Sequence, residues 1–244
     1  MIKQLTLGLT LLLLSLGSQA QQTIRFAAED GVEVTADHYV ISTQKPYLIL
    51  LHQAGSSRGE YREIAPKLAN LGFNCLSIDL RFGDEINFIK NQTAIDAVAK
   101  GKPLSMVDAQ KDIKAAIEFV AARSQQPIIL LGSSYSASLG LMEATHNFKV
   151  KAVVAFSPVE FSNELSVKDS IHNIYVPILA LSTKLEYREM SNLLRDVRKN
   201  HLILFKPSLG EGAHGAQTLW ASNPNHKEYW MVLTQFFSQL NLKK

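Results

Sequence analysis

A short run of small residues near the middle of the chain points to nucleophilic chemistry. The pattern is Gly132-x-Ser134-x-Ser136, which follows an apolar segment at 127–131. An apolar run followed by small residues predicts a buried strand that turns sharply into a helix. In the G-x-S-x-G motif such a turn holds the central serine in a strained conformation with its hydroxyl exposed. The sequence therefore predicts Ser134 as a nucleophile, with ordinary turn chemistry as the alternative.

A serine hydroxyl needs a general base, and a histidine base needs an acid that fixes its tautomer. Among seven histidines, His214 is the one in the predicted loop after the last strand, where glycines flank it. The acid should follow the predicted strand 177–181, and Glu186 stands there at the turn into a helix. The alternative role for Glu186 is that of an acidic residue that only stabilises the N-terminus of the helix through the helix dipole. Glu160, after the preceding strand, is the alternative catalytic acid.

Acyl transfer also requires backbone N–H groups that stabilise a developing oxyanion. One donor should be the amide of Tyr135, the residue after the nucleophile. The other should come from the loop after the predicted strand 47–51, with Ala54 as first choice and Gln53 as second. His52 opens this loop, and we interpret it as an organiser of the loop rather than a second base.

The elements around these residues predict an α/β fold. Short apolar runs alternate with helical spacing over most of the chain, which is typical of a largely parallel sheet with helices on both faces. Ligands of such sheets bind at the carboxyl ends of the strands. Eight strands are predicted, at 23–28, 33–41, 47–51, 73–80, 127–131, 151–156, 177–181 and 202–205. Helices are predicted at 60–71, 94–99, 108–122, after Ser134, at 187–199 and at about 225–240.

Composition limits the classes of function. A chain of 244 residues with 46% hydrophobic residues and a net charge of +3 can bury one substantial core, and it lacks the dense basic cluster of a nucleic-acid-binding protein. The single cysteine, Cys75, excludes a disulfide framework within the chain and is interpreted as an inert core residue. No metal-binding or phosphate-binding motif is present, so neither a metal nor an organic cofactor is expected.

The first twenty residues have the layout of a secretory signal peptide. A basic residue, Lys3, precedes an apolar run at 5–16 and a small-residue ending at 17–20. We expect cleavage after Ala20 and a single domain over 21–244, located in the periplasm or secreted. The apolar run is short for a membrane span, which needs about 20 residues. No stable membrane span is therefore expected after cleavage, and an uncleaved anchor is the alternative.

These motifs together resemble the α/β-hydrolase superfamily, and the chain is similar to its small capless members of the dienelactone-hydrolase and esterase type. The order Ser134, Glu186, His214 matches the family order of nucleophile, acid and histidine. The segment 51–55 resembles the family's oxyanion loop, and 79–81 resembles the segment after its fourth strand. The sequence departs from the pattern at Ser136 and Gln53, where glycine is usual, and at Glu186, where aspartate is commoner.

The resemblance implies a hydrolase that acts on a small ester-like substrate through an acyl-enzyme intermediate. Ser134 would attack, His214 would transfer the proton, and Glu186 would orient His214. One alternative is a binding protein that keeps the fold but has weak or no catalysis. A peptidase or thioesterase of the same fold is another, because a fold does not determine the substrate.

Overall fold

The computed structural model describes residues 21–163, 165–240 and 242, so the predicted signal peptide lies outside the described residues. Within them the chain forms one eight-stranded sheet in the order β1-β2-β4-β3-β5-β6-β7-β8. The strands are β1 (Gln21–Ala27), β2 (Glu33–Tyr39), β3 (Tyr47–Leu51), β4 (Asn74–Ile78), β5 (Ile128–Ser133), β6 (Val150–Phe156), β7 (Ile178–Leu181) and β8 (Leu202–Phe205).

The sheet is antiparallel only at one side. β1 pairs with β2 and β2 with β4 in antiparallel register, and every pair from β4 to β8 is parallel. The predicted mostly parallel eight-stranded sheet is thus confirmed. Because β3 and β5 to β8 run in the same direction, the loops that carry the candidate site residues leave the sheet at one edge.

Alternating strand residues feed two hydrophobic layers. In β3, Ile49 and Leu51 point into one core, whereas Leu48 and Leu50 point into the other. All five residues of β3 are buried, as expected for a central parallel strand covered on both faces.

Seven α-helices occur in the described residues and cover the two faces. Helices α2 to α6 pack on the Ile49 side, and α1 and α7 pack on the Leu48 side. They are α1 (Ala65–Asn70), α2 (Gln92–Ala99), α3 (Ala109–Ala121), α4 (Tyr135–His146), α5 (Val167–Ile171), α6 (Tyr187–Leu193) and α7 (His226–Gln239).

Two predicted helices are wrong in extent. The helix predicted at 60–71 is a 3-10 turn (Arg58–Tyr61) followed by α1, because Pro66 has no N–H and is tolerated only in the first turn of an α-helix. The helix predicted at 187–199 ends at Leu193. Leu194 and Val197 continue the helical spacing of buried residues although the chain has left the helix.

Three further elements were not predicted: α5, and two 3-10 turns, Lys199–His201 before β8 and Gly215–Leu219 directly after His214. No helix within the described residues is both long and apolar enough to cross a membrane.

Candidate active site

Ser134 occupies a sharp turn between β5 and α4. Its backbone has φ 59° and ψ −125°, a conformation that non-glycine residues rarely adopt. Its N–H donates to the carbonyl of Phe156 (2.8 Å), which fixes the turn against β6. This is the strained geometry that the sequence motif predicts for a nucleophilic serine.

The residues around Ser134 explain the altered motif. A Cβ on Gly132 would lie 2.5 Å from Cα of Ala137, so the strand and helix can approach only with glycine at this position. Ser136, by contrast, is buried and uses its hydroxyl: Oγ donates toward the carbonyls of Leu51 (2.8 Å) and Ser133 (2.9 Å) and accepts from the Ser133 N–H (3.1 Å). The hydroxymethyl group therefore bonds the turn to the end of β3, which a glycine could not do.

Glu186 and His214 lie together, as the motif order implies. Nδ1 of His214 is 2.6 Å from Oε1 of Glu186. Because a carboxylate only accepts hydrogen bonds, Nδ1 carries the proton and Nε2 is left as the basic nitrogen. Glu186 directly precedes α6, and its other oxygen accepts from the N–H of Thr183 (3.2 Å).

Ser157 is a residue that the sequence reasoning missed. It follows β6 with φ 49°, and its hydroxyl donates to Oε2 of Glu186 (2.7 Å) while accepting from the N–H of Gly215 (3.1 Å). One hydroxyl thus fixes both the acid and the residue after the histidine. Its place at the carboxyl end of a central strand was the available signal.

The pKa values of the pair move in the directions that a catalytic dyad requires. Burial alone would raise the pKa of Glu186, but hydrogen bonds from His214 and Ser157 and the His214 charge lower it to about 2. The hydrogen bond to Glu186 raises the pKa of His214, against a smaller opposing effect of burial. Glu186 therefore stays ionised at neutral pH and stabilises a protonated His214.

The chain after His214 contacts the residue before Ser134. The N–H of Ala216 donates to Oγ of Ser133 (2.8 Å), and Gly215 lies so close to the same hydroxyl that any side chain would collide with it. The histidine segment is thereby held against the turn. Ser134 and His214 do not hydrogen-bond to each other here, and such catalytic bonds often tighten only when substrate binds.

Two backbone amides can serve as oxyanion donors. Tyr135 is the first residue of α4, where helix N–H groups have no partner within the helix and carry the positive end of the helix dipole. Ala54 lies in the turn that follows β3, after Gln53, whose own N–H is already used by Glu60 (2.9 Å). This favours Ala54 over Gln53 as the second donor.

His52 organises the loop after β3 through hydrogen bonds. It is fully buried, its Nδ1 is 2.7 Å from the carbonyl of Gln53, and its Nε2 accepts from the N–H of Leu80 (2.8 Å). Burial lowers its pKa to about 4, so it is neutral at physiological pH.

The segment that follows β4 packs against the site. The N–H of Asp84 donates to the carbonyl of Ser56 (2.8 Å) in the loop after β3. Half-buried rings of Phe82 and Phe161 contact the Tyr135 ring edge to face. Arg81 is fully buried and is paired with Asp30 and Asp112. Phe82 of this segment and Phe161, from the segment after β6, therefore flank the Tyr135 ring, whereas Arg81 is structural.

Glu160, the alternative acid, has a different role in the structure. Its carboxylate accepts from the N–H groups of Val167 (2.8 Å) and Lys168 (2.9 Å), which open α5. The structure thus brings Glu186 to His214 and uses Glu160 at a helix N-terminus. Among the described residues no group of three or more His, Cys, Asp or Glu side chains could hold a metal ion.

Comparisons with known proteins identify the family and the fold of the chain. The model of the dienelactone hydrolase family matches residues 34–199. Dienelactone hydrolase from Anabaena variabilis has a similar fold (TM-score 0.69, 14% identity, 93% of this chain and 100% of that chain). So has an esterase of Pyrococcus furiosus (TM-score 0.67, 16% identity, 90% of each chain).

An acylaminoacyl peptidase of Pyrococcus horikoshii is also similar (TM-score 0.64, 15% identity), with 92% of this chain covering 42% of that one. No curated protein matches the chain in sequence. At such identities the solved structures show the α/β-hydrolase fold alone, whereas the family match spans more than half of the chain. The chain therefore belongs to the dienelactone hydrolase family.

Proposed function

We propose that the chain is a serine hydrolase that cleaves carboxylic esters through an acyl-enzyme intermediate. The observation that carries this proposal is the 2.6 Å Glu186–His214 bond in a segment bonded to the strained turn of Ser134. A paired histidine and acid activate a serine hydroxyl, which is otherwise a poor nucleophile.

In the proposed first step, Ser134 Oγ attacks the ester carbonyl and His214 Nε2 takes the hydroxyl proton. The amides of Tyr135 and Ala54 stabilise the oxyanion, and Glu186 stabilises the charged imidazole. His214 then gives its proton to the leaving alcohol, and the ester bond to Ser134 remains. Water then gives a proton to His214 and attacks this acyl-enzyme, and His214 passes that proton to Ser134 Oγ as the carboxylic acid leaves.

The half-buried rings of Phe82 and Phe161 beside Tyr135 favour a small apolar group on the substrate. The family supports ester hydrolysis over peptide hydrolysis, although the fold is shared with the acylaminoacyl peptidase. A panel of p-nitrophenyl esters, a thioester and an aminoacyl anilide of matched acyl groups distinguishes these substrate classes.

Labelling with a fluorophosphonate tests the mechanism. The mature chain should be labelled at Ser134, and both Ser134→Ala and His214→Ala should abolish or strongly slow labelling. A folded wild-type chain that is neither labelled nor active on any ester would overturn the hydrolase mechanism and favour the binding-protein alternative.

A periplasmic or secreted location is proposed from the sequence of residues 1–20. Cell fractionation and N-terminal sequencing check it: the expected product begins at Gln21 and is found outside the cytoplasm. A chain that keeps residues 1–20 on the membrane would instead favour the uncleaved anchor.

A further inference from the structure

Glu60 is a buried carboxyl group that the proposed mechanism does not use. It lies fully buried in the 3-10 turn between β3 and α1, and no ion pair in the described part of the chain includes it. Burial of an acid without a cationic partner is costly unless hydrogen bonds compensate. The hydrogen bonds of Glu60 therefore indicate its role.

Both carboxylate oxygens accept from residues that immediately precede the proposed reacting groups. Oε2 accepts from the N–H of Gln53 (2.9 Å), the residue before the oxyanion donor Ala54. Oε1 accepts from Oγ of Ser133 (2.7 Å), the residue before Ser134. One rigid carboxylate thus sets the distance between the oxyanion loop and the nucleophile turn.

Ser133 extends this connection to the histidine. Its Oγ, while donating to Glu60, accepts from the N–H of Ala216 (2.8 Å), two residues after His214. The nucleophile, the oxyanion donor and the base are therefore joined behind the site through a single carboxylate.

We propose that Glu60 is a positioning residue, whose carboxylate holds the oxyanion loop, the Ser134 turn and the His214 segment in register for catalysis. This inference rests on the proposed function. Misplacement of a reacting group by about 1 Å can cost on the order of 100-fold in rate, so such a link matters to catalysis as well as to folding.

The link depends on the charge of Glu60. Ionised, the carboxylate accepts both hydrogen bonds; protonated at Oε1, it would donate to Ser133, whose own proton would lose its acceptor. Burial raises the pKa of Glu60 to about 7, opposed by the bonds from Gln53 and Ser133 and by the charge of His214.

The charge of Glu60 raises the pKa values of three titratable groups, Tyr61, Tyr135 and His214. Burial keeps the pKa values of both tyrosines well above their usual value, so they stay neutral. The pKa of His214 is raised chiefly by its hydrogen bond to Glu186, and the charge of Glu60 contributes to the same shift.

Glu60→Gln tests the inference, because glutamine has the same shape and imitates the protonated acid. We expect kcat for p-nitrophenyl acetate to fall at least about tenfold with KM within about twofold, since the substrate contacts remain. The acidic limb of the kcat/KM profile should move to lower pH, because His214 loses a neighbouring negative charge. Fluorophosphonate labelling of Ser134 should slow in parallel.

Glu63→Gln is the matched control. Glu63 lies three residues on, is exposed, and also accepts from a backbone amide after the histidine, that of Ala221 (2.8 Å), but it does not contact the three site segments. Its rate and pH profile should stay those of the wild type. Ser133→Ala is the second test variant, since it cuts the bond to Ala216 while Glu60 still holds Gln53.

Stability separates positioning from a merely structural role. The pKa of Glu60 is raised in the folded state, so the contribution of its protonated form to the free energy of unfolding is lost as pH rises from about 4.5 to about 7. Glu60→Gln lacks this loss, so at pH 8 it should be less active without being less stable.

Wild-type rates and an unchanged acidic limb in Glu60→Gln would overturn the inference. If that variant does not fold, wild-type kinetics in Ser133→Ala would overturn it instead. An inactive, unlabelled wild-type chain would overturn the proposed function and this inference with it.

Discussion

Two histidines lie at the carboxyl edge of the sheet, His52 directly after β3 and His214 in the segment after β8. His52 is fully buried and bonded to backbone groups, and burial lowers its pKa to about 4. The His214 side chain is 43% exposed and bonded to a carboxylate, which raises its pKa. A place at the carboxyl edge of the sheet therefore does not make a histidine a base. The partner of Nδ1 and the access of the ring to solvent decide it.

The largest expected effect is that of removing the proposed base. His214→Ala should lower kcat for p-nitrophenyl acetate by about 10⁴-fold or more, because loss of a triad member leaves only the oxyanion hole and binding. The melting temperature should hardly change, since the side chain is partly exposed. His172→Ala, at an exposed histidine directly after α5, is the control. An active His214→Ala would remove the distinction between the two histidines.

Glu186→Gln should cost about 10³-fold in kcat, since an amide can stabilise the wrong tautomer of His214 and cannot stabilise its charge. It should also move the acidic limb of the pH profile to lower pH, because Glu186 is the largest cause of the raised His214 pKa. Kinetics between pH 4 and 9 measure both. The matched change Glu189→Gln, in the first turn of α6, should leave the profile in place.

His52→Gln should act on stability more than on chemistry. Glutamine can still accept from the N–H of Leu80 but leaves the carbonyl of Gln53 without its donor, which should cost about 1–3 kcal/mol in the free energy of unfolding. Urea unfolding at pH 7 measures it. A 10⁴-fold loss of kcat in a chain of wild-type stability would contradict the organiser role.

The same histidine gives a pH dependence with a definite sign. Because its folded-state pKa is depressed, His52 stabilises the fold fully above about pH 6.5, and this contribution is lost as pH falls toward 4. Wild-type stability should therefore decline over this window more than that of His52→Gln. An equal decline in both would show that His52 is not the group that titrates.

The sequence predicted the parts of this molecule that depend on local pattern. Apolar runs located the six strands from β3 to β8, because strands of a covered parallel sheet have few polar residues, whereas β1 and β2 contain several polar residues and pair antiparallel. The order Ser134, Glu186, His214 placed Glu186 and His214 in loops that the structure brings together. The pattern could not separate α6 from its continuation, since Leu194 and Val197 keep the helical period outside the helix.

Long-range hydrogen bonds account for what the sequence could not predict. Glu60 and Ser133 are 73 residues apart, and Ser157 and Glu186 are 29 apart, so neither pairing leaves a mark in any short window. The short helix α5 depends on Glu160, a loop residue that accepts from its first N–H groups. Ser136, which stands where the motif usually has glycine, is likewise explained only by its hydrogen bond to the Leu51 carbonyl at the end of β3.

The smallest effect concerns the hydroxyl that supports the acid. Ser157→Ala removes a donor to Glu186 and an acceptor for the Gly215 N–H, so both partners of the dyad become less fixed, and we expect about a tenfold loss of kcat. The acidic limb of the kcat/KM pH profile should move only slightly, because the bond between His214 and Glu186 remains. Ser77→Ala, which removes an equally buried hydroxyl bonded to the Arg58 carbonyl, controls for a lost buried hydrogen bond. If both variants lose the same activity, the effect of Ser157→Ala is a general effect of a lost buried hydrogen bond. If only Ser157→Ala loses activity, the groups that distinguish His214 from His52 include Ser157 as well as the Glu186 carboxylate.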